Sequence, residues 1–189
     1  KVASAANWAI KRLAGTIGVV GRRAMVSVGD SFFVVAPDRS LREIVPTAAE
    51  ETPFELLPPA SEPAQPYFNR INWAQMSKIA LHKYGRWLLM ACPLDGAADN
   101  NTVLAWDLRY RVPGPVGNVS FPAFLGRWTG WTPTAWATTR FGAVGERLVI
   151  GDTVGKVNEW KEDDDESLVA TYKDNGVDIT ITIRGASWD

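Results

Sequence analysis

The chain is poor in the residues that most chemistry needs. It has one cysteine, Cys92, so no internal disulfide can form and no oxidising compartment is required. It has one histidine, His82. Formal net charge is −1, which gives no overall electrostatic pull toward nucleic acid or an anionic membrane surface. No apolar run approaches the roughly 18 residues that a membrane-spanning helix needs, and no signal-peptide pattern opens the chain. The 189 residues begin at Lys1 and end at Asp189 just after a strand-like run, and the expectation is a segment of a longer or processed protein.

What the chain does have is turns, tryptophan and a repeat. Glycine (16) and proline (12) favour short strands over long helices. Hydrophobic residues make up 46% and charged residues 22%, an ordinary balance for a domain with a real core. Residues 29–44 (GDSFFVVAPDRSLREI) and 145–160 (GERLVIGDTVGKVNEW) share one plan: glycine, polar residues, an apolar burst, a turn, and an alternating stretch. A third copy starts at Gly85 with GRWLLMACP and reaches its alternating stretch, TVLAWD, after the insert LDGAADNN. The three glycines are 56 and 60 residues apart. Such a period made of short strands predicts an all-β, propeller-like domain of about three blades, part of a larger propeller since three blades do not close a ring.

The expected strands are Ala24–Val28, Phe32–Ala36, Ser40–Val45, Ile79–Lys83, Trp87–Ala91, Thr102–Asp107, Arg127–Thr132, Ala135–Arg140, Leu148–Ile150, Lys156–Trp160 and Val177–Ile183. The blades fall at 14–72, 73–131 and 132–189 of a single domain, 1–189. Residues 46–66 hold six of the prolines and four glutamates, and read as an excursion outside any sheet. Residues 111–126, rich in Pro and Gly, read as irregular. Residues 1–13 fit a short helix or an extended lead-in, and 67–78 one or two helical turns.

Candidate chemistry is sparse. His82 lies in a strand without a metal partner, and Cys92 reads as a small buried hydrophobe. The acidic run Glu162–Glu166 and the insert Asp95–Asn101 lack the glycine and spacing of a calcium loop and read as solvated loops. No catalytic residue, metal site or cofactor is expected, and the chain is not expected to be an enzyme. Asp152 and Gly155, in the turn Gly151–Gly155, fit a self-capping hairpin turn. Trp128 and Trp131 are separated by three positions, so an ideal strand sets them on opposite faces unless Gly130 bends it. With Trp160 they are candidates for packing between blades or for an interface.

Three segments carry a resemblance to virion structural proteins of tailed bacteriophages. They are GTIGVVGRRAMVSVGDSFFVVAPDRSLREI, then RINWAQMSKIALHKYGRWLLMACPLDG with NNTVLAWDL, then WTGWTPTAWATTRFGAVGERLVIGDTVGKVNEW. Within them, Asn101–Asp107, Trp128–Trp131 and Gly151–Trp160 are similar to blade motifs of propeller-bearing hub, nozzle and stabilisation proteins of phage tails. That resemblance covers about residues 14–160. It implies a non-enzymatic tail or head–tail connector component of the virion, set in a homo-oligomeric ring with other tail and portal proteins. Double-stranded DNA would pass through without specific binding, and no membrane is implied. The acidic run Glu162–Glu166, if it faces the lumen, is expected to repel DNA and ease its passage. Loops 46–72, 93–101 and 111–126 are the expected subunit contacts. A receptor- or glycan-binding propeller using exposed tryptophans is the alternative, and a propeller glycosidase a further one.

Overall fold

Glycine sets the first turn of each repeat. Gly29 and Gly85 adopt φ of 60° and 52°, a left-handed backbone that costs glycine nothing. Each is the first residue of a two-residue hairpin loop, closed by the pairs Val28↔Ser31 and Tyr84↔Trp87. Gly145, φ 87°, directly precedes the second strand of the third repeat.

The computed structural model describes residues 17–48, 54–114, 119–140 and 145–160, with the backbone of 173–174 and 177–178. The chain is all-β. The first sheet is an antiparallel meander of β1 (Met25–Val28), β2 (Ser31–Ala36), β3 (Ser40–Pro46) and β4 (Phe54–Pro59). The second is a meander of β5 (Ala80–Tyr84), β6 (Trp87–Cys92), β7 (Thr102–Pro113) and β8 (Ser120–Trp128). The third has β9 (Pro133–Arg140), β10 (Glu146–Asp152) and β11 (Val157–Trp160). A short pair, β12 (Lys173–Asp174) and β13 (Val177–Asp178), follows. The first and second sheets are joined by the 3-10 turn Glu62–Ala64, helix α1 (Gln65–Phe68) and the 3-10 segment Trp73–Lys78.

Strand periodicity explains how the sheets stack. In β6, Leu88, Met90 and Cys92 enter one core while Leu89 enters another. In β7, Leu104 and Trp106 enter the first core, and Val103 and Ala105 the second. The second sheet is therefore the middle layer, buried on both faces, which is why β6 reads as an unbroken apolar run. The first core takes Phe33, Val35 and Leu41 from the first sheet and Phe68, Ile71 and Ile79 from the connector. The second core takes Leu148 and Ile150 from the third sheet. Burying a ring as large as Trp106 contributes about 3 kcal/mol.

The first strands adjoin: β1 lies beside β5, and β5 beside β9. The Leu81 amide donates to the Arg23 carbonyl at 2.8 Å. His82 Nε2 and Thr138 Oγ1 are 2.8 Å apart. Arg23 Nη1 donates to the Thr134 carbonyl, tying the first sheet to the third.

Two expectations are corrected. The stretch 46–66 is not wholly outside a sheet, because Phe54–Pro59 pairs with β3 as β4. It is an edge strand, where proline's missing N–H breaks no ladder. The stretch 111–126 is largely strand: β7 and β8 continue through Arg111↔Pro122, Val112↔Phe121 and Pro113↔Ser120, after a register shift between Asp107 and Arg111. From this extension Arg111 Nη2 reaches the buried Glu43 Oε2 of β3 at 2.5 Å. Residues 1–13, the run Glu162–Glu166 and the last residues of Val177–Ile183 lie outside the described residues.

Candidate functional site

Three of the residues singled out by the sequence, Trp128, Trp131 and Trp160, gather in the seam between the second and third sheets. Trp128 closes β8, and the backbone then leaves the strand at Gly130, φ 89°. That bend brings Trp131 back onto Trp128, with ring centroids 5.7 Å apart in an edge-to-face arrangement. Trp160, at the end of β11, lies 5.8 Å from Trp128 and 5.7 Å from Trp131. Trp87 meets Trp128 at 5.8 Å, and Tyr84 meets Trp160 at 5.5 Å. All five rings are half-buried against Leu89, Val103, Ala105, Leu148 and Ile150. Edge-to-face ring pairs add about 1 kcal/mol each to the burial of their area. The Arg86 guanidinium covers the outer face of Trp87 at 4.0 Å. Trp128 and Trp131 thus share one cluster rather than opposite faces.

Asp152 and Gly155 shape the hairpin that delivers Trp160. Asp152 Oδ1 accepts from the Val154 amide at 2.9 Å and the Lys156 amide at 2.8 Å. Asp152 Oδ2 accepts from Asn158 Nδ2 at 3.3 Å. Desolvation alone would raise the Asp152 pKa, but the hydrogen bonds from Lys156, Val154 and Asn158 outweigh it and hold it below the ordinary carboxylate value. Gly155 sits at φ 81° with open space where a Cβ would point.

The remaining candidates have structural surroundings. Cys92 is buried in the first core, and burial pushes its thiol up to about 12, so it carries no thiolate at neutral pH. His82 belongs to the opposite side of that sheet, stacked on Trp136 with ring planes 7° apart. Burial, then the nearby Lys83 charge, lowers its pKa, so His82 is neutral near pH 7. The insert is tied down within the chain. Asp95 pairs with Arg70 and Asp99 with Lys78, each at 2.6 Å. Buried Asn100 donates to the carbonyls of Lys78 and Pro133, both at 2.8 Å. Among the described residues no group of three or more His, Cys, Asp or Glu is placed to hold a metal.

Sequence reasoning missed a cleft of about 560 Å³ between the β2–β3 turn and the connector. Asp38 and Arg39 come from the turn, Ser40 and Arg42 from the start of β3, and Gln65, Asn69 and Trp73 from the connector. Arg39 adopts φ 64°, where a side chain costs about 1 kcal/mol relative to glycine. That position of a three-residue hairpin loop ordinarily takes glycine, and an arginine in PDRS was the available signal.

Comparison of the chain with protein-family models, with curated proteins and with solved structures finds no match.

Proposed function

We propose that this chain is a structural scaffold whose three sheets are successive propeller-like blades, and that copies of it associate head to tail into a ring. One observation carries the proposal: the stack ends in two unlike faces that both show apolar side chains. On the outer face of the first sheet, Met25 is 51% exposed, beside the half-buried Phe32, Ile44, Phe54 and Leu56, while Val34 and Ala36 on the same face are buried. On the outer face of the third, Val157 is 75% exposed, next to Val149 and the Arg147–Glu159 pair. Unlike faces on one molecule give heterologous contacts, and these close a ring when the rotation per copy divides a full turn. The adjoining first strands β1, β5 and β9 support a radial arrangement about an axis.

The motifs similar to phage tail proteins all lie in or beside one seam. They are β7, the β8 end through Trp131, and the β10–β11 hairpin. Their role here is packing, which fits a ring component of a tail hub, nozzle or head–tail connector in the virion. Portal and tail proteins are the partners in this reading, and double-stranded DNA passes along the axis without specific binding. The expected contact loop 93–101 is occupied by bonds within the chain, which shifts the contacts to the two end faces.

Electron microscopy of the native assembly at side-chain resolution tests the placement. A ring of copies below a portal, with Met25 of one copy facing Val157 of the next, is the expected result. A virion-free monomer with an open polar central pocket contradicts it.

A further inference from the structure

The cleft beside Arg39 brings polar and aromatic side chains together in one concavity. Its carboxylate is already spent. Asp38 Oδ2 accepts from Arg42 Nη2 at 2.6 Å and Nε at 3.0 Å, and Asp38 Oδ1 accepts from Ser40 Oγ at 2.5 Å. Arg42 Nη1 also reaches the Leu57 carbonyl at 3.4 Å. Arg39 is different: among the described residues no carboxylate pairs with it. Its guanidinium lies over the ring of Trp73, 6.0 Å from the centroid. The cleft therefore carries one uncompensated positive charge.

Trp73 is held in place. Its Nε1–H donates to the Phe68 carbonyl at 3.1 Å, and the Phe68 ring lies 6.2 Å behind it. Gln65 Nε2 donates to Asn69 Oδ1 at 2.9 Å, which leaves Gln65 Oε1 as an acceptor and Asn69 Nδ2 as a donor. A fixed aromatic ring, a guanidinium that lies over it without a carboxylate partner, and a donor–acceptor pair of amides line one concavity, whose volume lies in the range of small-molecule sites. A sugar ring offers an apolar face for the indole and hydroxyls that both donate and accept for the amides. The unpaired guanidinium asks for a carboxylate.

We propose that this cleft binds an acidic saccharide, a hexuronic acid residue within an oligosaccharide. Arg39 takes the carboxylate, Trp73 supports the ring, and Gln65 and Asn69 bond its hydroxyls. The left-handed backbone at Arg39 is the second mark of a built site, since glycine would make the same turn without strain. The site does not rest on ring assembly, because every residue in it belongs to one chain.

Isothermal titration calorimetry on the whole chain tests this with tetragalacturonic acid, its fully methyl-esterified form, and a hyaluronan tetrasaccharide containing glucuronic acid. At least one acid form is expected to bind, weakening as salt rises. The methyl ester should bind at least roughly tenfold more weakly than its parent if galacturonate is the form taken. Arg39→Gly should lose binding by a similar factor while its thermal midpoint stays equal to or above the wild type, which separates ligand loss from unfolding. Gln65→Ala, at an exposed position, should weaken binding with the fold intact. Failure of both acid forms to bind overturns the proposal. So does an ester that binds as tightly as its acid, or an Arg39→Gly variant that binds like the wild type.

Discussion

Trp128 touches three other indole rings, those of Trp87, Trp131 and Trp160, and so ties β6, the chain after β8 and β11 into one unit. Trp128→Ala removes a large half-buried ring from that junction and should lower stability by about 3 kcal/mol, read from the urea midpoint at constant m-value. Trp128→Phe should recover part of the loss. His82 gives a pH-dependent test. Its folded pKa lies below the ordinary 6.5, so the unfolded chain binds the extra proton first. Stability from neutral His82 is full above about pH 6.5 and falls as pH drops through the folded pKa. Urea midpoints taken from pH 8 to pH 5 should fall more steeply for the wild type than for His82→Gln. At this scale the sequence was partly legible. The tryptophans' packing role followed from their place in the repeats, but the pairing of Trp128 with Trp131 depended on a bend at Gly130 that strand parity cannot supply.

The β10–β11 hairpin is held by its own turn. Gly155→Ala meets no steric obstacle, so its cost is the left-handed φ alone, about 1 kcal/mol in a denaturation curve. Asp152→Ala should also lower the unfolding midpoint, because the Val154 and Lys156 amides lose their acceptor. Asp152→Asn should be milder, since an amide oxygen can still accept. The three repeat glycines were readable because a positive φ at a hairpin turn selects glycine. Strand β4 was not, because its prolines argue against a sheet interior and an edge strand escapes that rule. The extension of β7 and β8 was hidden for the same reason: Pro113 and Pro122 sit on a two-stranded ribbon beyond the main sheet. The cleft at Arg39 needed the fold, which brings the turn 37–40 against Gln65–Trp73 from a distant part of the chain.

At the scale of the whole molecule, stacking order follows from alternation within β6 and β7, where successive side chains feed two separate cores. The two end faces follow from that stack, and no local motif announces them. Met25 and Val157 are exposed, so replacing either should leave the fold intact while changing the face it belongs to. Met25→Asp blocks the first face and Val157→Asp blocks the last. The most direct test is light scattering coupled to size-exclusion chromatography on the wild type, on each variant, and on an equal mixture of the two variants. Head-to-tail association predicts a closed oligomer for the wild type, monomer for each variant, and a dimer for the mixture, because one good face of each kind remains. A wild type that stays monomeric at every concentration, or variants that assemble as the wild type does, contradicts the ring account.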